Sequence, residues 1–289
     1  MRRLPEYGLA MRGGLLLLGC LLWLSPLPAS ERLSLFVSIP PQAWLLEQLG
    51  GERFTVRTML GPNANPHNYD PAARQLVALA DAHAYFTIGI PFESMWQQRL
   101  AAINADMTFI HCGADTHEHD HHDHDAKAHS DPHIWTSPLE ASAIAACMVR
   151  ALTRIDPDGK EVYADNLTQL QQRLADLDQR IRALLADNNN SVMLVQHPAW
   201  DYFAANYDLE QLAIEQDGHE PNARHLVRVI ERGRELDLKT VFTQSQYGQA
   251  AARLVADAID ARIVEADPMA YDYPASLIGL ARSLAGDAE

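Results

Sequence analysis

The stretch LSLFVSIPPQAWLLEQLGGERFTVRTML, residues 33–60, holds two short apolar runs on either side of a helix-forming segment. Residues 33–39 are typical of a buried strand, and residues 53–60 of a second strand. Between them, residues 42–51 favour a short helix that is ended by a pair of glycines. A strand followed by a helix and another strand predicts a unit in which the two strands run parallel.

The same alternation continues beyond this stretch. Further strand-like runs lie at residues 84–90, 107–110, 191–197, 209–214, 239–244 and 261–267, and helix-like runs at 72–82, 92–104, 137–155, 199–208, 222–236 and 248–259. Regular alternation of this kind is typical of an α/β protein whose sheets are mainly parallel and carry helices on both faces. In such sheets ligands bind beyond the carboxyl ends of the strands, so a site is expected there.

One helix-like segment, residues 160–187, is much longer than the others. Its apolar residues recur at alternating spacings of four and three: Tyr163, Leu167, Leu170, Leu174, Leu177, Ile181 and Leu184. This spacing places one apolar seam along a helix of about 42 Å. We predict two (β/α) lobes, residues 31–157 and 189–289, joined by one long rigid helix over 158–188. The seam could also form a dimeric coiled coil, but β/α segments resume directly after it and favour packing within a monomer.

The amino-terminal residues predict an export signal. Basic residues precede an apolar run over residues 15–24 that is too short to span a bilayer comfortably, and small residues follow near residue 30. We therefore expect a signal peptide over residues 1–30 and a periplasmic protein. The sequence LLGC resembles a lipidation motif that would anchor the chain at Cys20, but the apolar run continues past this cysteine, which disfavours the anchor.

Two further cysteines, Cys112 and Cys147, lie beyond the predicted signal. Their spacing differs from the C-x-x-C pairs of zinc knuckles. In an oxidising compartment they could form a disulfide, or they could be two independent small residues. The sequence leaves both alternatives open.

The chain is strongly acidic, with a formal net charge of -15. We expect no nucleic-acid partner, because phosphate-binding proteins present a basic face, whereas an acidic surface suits cations. The segment over residues 111–130 contains HEHDHHDHD and almost no apolar residues, which predicts a loop. Its histidines form a candidate secondary site for weak zinc binding: His117, His119, His121, His122, His124 and His129.

Four other side chains occupy the places where a site is expected. They are His67 in the turn-rich loop NPHNYDP, His133 in DPHIW, His197 at the end of SVMLVQH and Asp267 at the end of ARIVEAD. Two come from each lobe, so they could converge in a cleft between the lobes. Three imidazoles and one carboxylate satisfy tetrahedral zinc, whereas calcium and magnesium prefer oxygen and manganese is expected to take more carboxylates. The sequence therefore predicts a Zn²⁺ site.

Several stretches carry a family resemblance that extends over nearly all of the chain after the signal. NPHNYDPAARQLVALADAHAYFTIGIPFE, DPHIWTSP, QHPAWDYFA, GHEPNARHL and ADPM resemble, in this order, the metal-binding solute receptors of bacterial ABC importers, above all the periplasmic zinc-uptake receptors of the ZnuA type. The resemblance implies two β/α lobes with a rigid connecting helix, capture of zinc, and delivery to an ABC permease in the inner membrane. It carries the family's metal histidines onto His67, His133 and His197, and its acidic ligand onto Asp267.

One position departs from the family pattern, and parts of the sequence suggest other functions. Some relatives have an acidic residue directly before the first histidine, but Pro66 stands there; Glu265 is a second candidate for the fourth ligand. A manganese receptor of the same family is one alternative function. Residues 119–124 spell H-x-H-x-D-H, which resembles the signature of metallo-β-lactamase-fold zinc hydrolases. Catalytic zinc needs firmly held ligands, and this match lies in a string rich in histidine and aspartate, so we expect a receptor and not an enzyme.

Overall fold

A computed structural model describes residues 32–113, 131–188, 191–215 and 220–286 of the chain. The predicted signal peptide and the histidines from His117 to His129 lie outside the described residues. Within the described ranges, no helix is both long enough and apolar enough to cross a membrane.

The N-terminal lobe alternates strands and helices. Its elements are β1 Leu33–Val37, α1 Pro40–Gly50, β2 Phe54–Thr58, α2 Ala73–Leu79, β3 Ala84–Thr87, α3 Pro91–Ile103, β4 Thr108–His111 and α4 Pro138–Ile155. The strands form one parallel sheet in the order β2-β1-β3-β4. Leu35, Phe36 and Val37 in the inner strand β1 are all buried, as expected when helices cover both faces. Because β4 includes His111, the predicted start of the histidine-rich loop at that residue was too early.

The connecting helix, α5, spans Lys160–Leu185 and has 26 residues. Its predicted seam faces inward: Tyr163, Leu170, Leu174, Leu177 and Ile181 are buried, and Leu167 and Leu184 pack partly buried against the same core. The helix packs against α1 and α4 of the N-terminal lobe and against the last helix of the C-terminal lobe. The seam is therefore covered within one chain, which leaves no apolar stripe for the coiled-coil alternative.

The C-terminal lobe repeats the pattern of the first. Its elements are β5 Val192–Val195, α6 Asp201–Asn206, β6 Glu210–Ala213, α7 Ala223–Glu235, β7 Thr240–Thr243, α8 Ala250–Ile259, β8 Arg262–Glu265 and α9 Tyr273–Leu284. The strands form a second parallel sheet in the order β6-β5-β7-β8. The predicted α/β fold, with two parallel sheets and a long connecting helix, is confirmed.

The strand order explains where a site can form. In each sheet the chain moves from its first strand to one side and then returns to the other side, so a crevice opens beyond the carboxyl ends of the two inner strands. One buried apolar cluster includes residues of both lobes, a second lies within the C-terminal lobe, and the rings of Trp44 and Tyr273 lie 5.3 Å apart across the boundary. The two crevices are thus held next to each other by packing rather than by a flexible hinge.

Cys112 and Cys147 form a disulfide, with their Cα atoms 5.8 Å apart. Cys112 directly follows β4 and Cys147 lies within α4, so the bond fastens the outer strand of the sheet to a neighbouring helix. The structure thereby decides between the two alternatives that the sequence left open.

Candidate metal site

Three imidazoles from the two lobes meet beyond the carboxyl ends of the strands. The ring centre of His197, from the C-terminal lobe, lies 5.7 Å from that of His67 and 5.5 Å from that of His133. Two imidazoles that share one zinc ion through nitrogen–zinc bonds of about 2.0 Å have ring centres roughly 5 Å apart. The observed spacing is slightly wider than that of shared coordination.

His197 is the most buried of the three, with 3% of its surface exposed. Its Nδ1 atom makes a hydrogen bond of 2.7 Å with Oε2 of Glu215, and its Nε2 atom is buried with no hydrogen-bond partner. When Nδ1 donates its proton to the carboxylate, Nε2 carries the lone pair. An unpartnered buried polar atom costs about 1–3 kcal/mol, so this nitrogen is placed where a bound cation would satisfy it.

The surroundings of His197 keep its ring neutral and fixed in plane. Burial lowers the pKa of His197 and outweighs the opposing effect of the hydrogen bond to Glu215, while the nearby ring of His133 adds to the lowering. A neutral imidazole is the form that binds metal. The ring of Tyr247 stacks on that of His197, with 4.3 Å between the ring centres and 20° between the planes. Burial raises the pKa of the Tyr247 hydroxyl, which therefore stays protonated.

His133 is oriented by a carboxylate in its own segment. Its Nδ1 atom lies 2.5 Å from Oδ1 of Asp131, and its backbone nitrogen donates to the same oxygen over 3.1 Å. The next residues form a single 3-10 turn, Ile134–Thr136, in which Nε1 of Trp135 donates a 2.7 Å hydrogen bond to the carbonyl of Pro268. Because Pro268 follows Asp267, this bond fastens the His133 segment to the acidic candidate in the other lobe.

His67 is the exposed member of the group. It lies in the loop after β2, where Oδ1 of Asn65 accepts a hydrogen bond of 2.8 Å from the backbone nitrogen of His67. Side chains of Asn commonly form turns of this kind with the backbone two residues further on.

Asp267 lies two residues after β8 and is half-buried. Its Oδ1 atom accepts hydrogen bonds from Nε2 of Gln246 at 2.8 Å and from the backbone nitrogen of Met269 at 2.9 Å. Burial raises the pKa of this carboxyl group, and the two hydrogen bonds oppose that rise. In the described part of the chain no hydrogen bond joins Asp267 to the three imidazoles. Glu265, the second acidic candidate, is exposed at the end of β8.

Sequence reasoning missed the residues that orient the candidate ligands: Asp131, Glu215, Gln246 and Tyr247. Ligand sites in parallel sheets lie beyond the carboxyl ends of the strands. That rule could have identified three of these residues, because Glu215 follows β6 while Gln246 and Tyr247 follow β7. As the described side chains stand, no group of three His, Cys, Asp or Glu residues is close enough to hold a metal ion. Coordination therefore requires the rings to approach each other slightly.

Known proteins are similar to this chain in sequence and in fold. Residues 35–285 match the model of a family described as "Zinc-uptake complex component A periplasmic". A crystal structure of ZnuA is similar with a TM-score of 0.83 and 34% identity, over 89% of this chain and 99% of that one. The high-affinity zinc uptake system protein ZnuA of Bacillus subtilis is 25% identical, over 81% of this chain and 76% of its own length. The manganese-binding lipoprotein MntA of Halalkalibacterium halodurans is 26% identical, over 74% and 72%.

Proposed function

The chain belongs to the family of periplasmic zinc-uptake components of the ZnuA type, and we propose that it captures Zn²⁺ and delivers it to an ABC permease in the inner membrane. As a member of this family, the chain is a metal-binding solute receptor for ABC-type uptake and not an enzyme. The hydrolase-like pattern over residues 119–124 lies outside the described residues. Membership of this family assigns no catalytic role to that pattern.

The observation that carries the choice of zinc is the convergence of His67, His133 and His197 around a buried, unpartnered imidazole nitrogen. Three nitrogen donors suit zinc, whereas manganese sites are richer in oxygen donors. With Asp267 as the fourth donor, the set contains three nitrogens and one carboxylate, which satisfies four-coordinate zinc. Because one similar protein is named as manganese-binding, manganese is the alternative metal that the experiment must test.

The three histidines have different proposed roles in metal capture, because they differ in exposure and in hydrogen-bond partners. His67 is exposed and meets the ion first. His133 and His197 each have Nδ1 held by a carboxylate, from Asp131 and Glu215 respectively, and so present Nε2 to the ion. Such carboxylate–histidine pairs fix the orientation of the ring and raise its basicity as a ligand.

Release is proposed to depend on the permease. One buried apolar cluster includes residues of both lobes and α5 contacts helices of both, so we expect only small movement of the lobes when zinc binds. A site built from ligands of two lobes is broken when those lobes are displaced relative to each other. Docking on the permease would supply that displacement.

Metal analysis and competition titration of the mature protein test the proposal. We expect one tightly bound Zn²⁺ per chain and weaker binding of Mn²⁺. Alanine in place of His67, His133 or His197 should each weaken zinc binding by about 100-fold or more, since loss of an outer-shell partner alone costs 10–100-fold. His83→Ala is the matched control, because His83 directly precedes β3 and so lies at the amino ends of the strands, opposite the candidate site. Tighter binding of Mn²⁺ than of Zn²⁺ would assign the protein to manganese uptake.

The histidine-rich segment is proposed to collect or buffer zinc while the cleft holds one ion tightly. Its residues lie outside the described ranges, and the proposal rests on their composition: the imidazoles offer nitrogen donors, and the acidic neighbours concentrate cations. Deletion of residues 114–129 should remove the weak sites and leave the tight one. Loss of the tight site in that deletion would contradict this division of roles.

We further propose that the protein works in the periplasm as a monomer after removal of residues 1–30. The disulfide between Cys112 and Cys147 supports an oxidising compartment, and the covered seam of α5 supports a monomer. Amino-terminal sequencing of the exported protein and its sedimentation test both points. A chain that begins at a lipid-modified Cys20 would establish the membrane anchor instead.

A further inference from the structure

We propose that Gln246 is a specificity-determining residue: it holds Asp267 so that a single carboxylate oxygen remains available to the metal, which favours zinc over manganese. The inference rests on the proposed function, in which Asp267 is the fourth ligand. Gln246 itself lies outside the predicted ligand set and acts through Asp267.

The side-chain amide of Gln246 is buried and joins the two lobes. Its Nε2 atom donates to Oδ1 of Asp267 at 2.8 Å and to the carbonyl oxygen of Pro62 at 2.5 Å. Both partners are acceptors only, so the nitrogen and not the oxygen of the amide must face them. Oε1 of Gln246 is left buried without a hydrogen-bond partner. The amide is thus oriented by its two acceptors even though its own oxygen goes unsatisfied.

A second donor reinforces this arrangement at the same carboxylate atom. The backbone nitrogen of Met269 donates to Oδ1 of Asp267 at 2.9 Å. Two hydrogen bonds therefore converge on Oδ1, while Oδ2 of Asp267 receives none from the described residues. The two oxygens of this carboxylate are chemically unequal before any ion arrives.

The difference between the two carboxylate oxygens of Asp267 affects which metal the site prefers. One carboxylate oxygen together with three imidazoles makes four ligands, the number that zinc adopts in tetrahedral sites. Manganese favours octahedral sites rich in oxygen. A carboxylate that used both oxygens would raise the coordination number and the oxygen content of the site. Together with the backbone nitrogen of Met269, Gln246 occupies Oδ1 and makes this second oxygen less available to an ion.

The neighbouring residue provides a matched control. Oγ of Ser245 donates to Oδ1 of Asn63 at 3.1 Å, so it joins the same two loops as the bond from Gln246 to Pro62. Among the described residues, Ser245 makes no side-chain hydrogen bond to Asp267. Removal of the Ser245 hydroxyl removes one hydrogen bond between the lobes but leaves the hydrogen bond from Gln246 to the carboxylate of Asp267.

The experiment compares Gln246→Leu and Gln246→Met with Ser245→Ala in the mature protein. Kd values for Zn²⁺ and Mn²⁺ are measured by chelator competition, and metal-free thermal unfolding verifies that each variant is folded. We expect both Gln246 variants to lower the ratio of the Mn²⁺ Kd to the Zn²⁺ Kd by about tenfold, the effect of one hydrogen bond to a charged group. Ser245→Ala should leave the ratio within about twofold of wild type, well below that effect.

Cobalt gives a readout of coordination number that does not depend on affinity. Four-coordinate Co²⁺ absorbs visible light strongly, and six-coordinate Co²⁺ weakly. We expect strong bands in wild type and Ser245→Ala and weaker bands in both Gln246 variants. An unchanged ratio and unchanged bands in the Gln246 variants overturn the inference, as does an equal change in Ser245→Ala. Failure of the proposed function looks different, since wild type itself would then not hold one zinc ion tightly.

Discussion

The Nδ1 atom of His197 and the Oε2 atom of Glu215 lie 2.7 Å apart, and the Nε2 atom of the same ring is buried without a hydrogen-bond partner. The N-terminal lobe contains a similar carboxylate–histidine pair, in which Nδ1 of His133 is hydrogen-bonded to Oδ1 of Asp131. Each lobe therefore supplies a histidine whose ring is set by a carboxylate before an ion binds. The carboxylates, and not only the histidines, should determine affinity.

Replacement of Glu215 by alanine should weaken zinc binding by about 10–100-fold, because His197 loses the partner that fixes its tautomer and ring orientation. Competition titration measures the effect. Glu210→Ala is the control, since Glu210 is exposed at the start of β6, away from the carboxyl ends of the strands. If both variants bound zinc as tightly as wild type, the carboxylate would have no part in setting the ligand.

The stability of the metal-free protein should fall in mild acid. Burial lowers the pKa of His197 below its ordinary value of 6.5, so the unfolded chain takes up a proton at this residue before the folded chain does. The free energy of unfolding is then independent of this group above about pH 6.5 and declines as the pH falls from there towards the lowered pKa. Urea unfolding between pH 5 and 8 measures the slope.

The variant His197→Asn should flatten that slope, because the titrating group is gone. Zinc affinity should weaken in the same acidic range, since the candidate imidazoles can bind a metal only in the neutral form. A metal-free protein whose unfolding free energy rises as the pH falls below 6.5 would contradict the sign of the lowered pKa.

The fold was predictable because its signals are local, whereas parts of the site depend on contacts between distant residues. The apolar run at residues 191–197 contains β5 and ends on His197, so both the strand and the candidate ligand could be inferred from neighbouring residues. The hydrogen bond from Gln246 to Pro62 joins residues 184 positions apart. It exists only because the two lobes are held in one arrangement, and no periodicity in the chain encodes that arrangement.

Trp135→Phe should destabilise the connection between the lobes. The variant keeps most of the buried ring but leaves the carbonyl of Pro268 without its 2.7 Å hydrogen bond, which should lower the free energy of unfolding by about 1–3 kcal/mol. Zinc affinity should fall as well, because this bond fastens the segment of His133 to that of Asp267. Trp96→Phe, on α3, is the matched control. Equal stabilities of the two variants would show that the inter-lobe bond contributes nothing.

Loss of the disulfide should affect stability far more than zinc binding. The bond between Cys112 and Cys147 closes a loop with a sequence separation of 35, and a loop of that length corresponds to about 3–4 kcal/mol of stabilisation through restriction of the unfolded chain. Neither cysteine contacts the candidate ligands in the described residues. The double variant Cys112→Ser with Cys147→Ser should therefore unfold at lower urea concentration while it keeps a zinc Kd close to that of wild type. Reductant should destabilise wild type to the same level and leave the double variant unchanged. A large loss of zinc affinity in the double variant would mean that the disulfide positions the metal site.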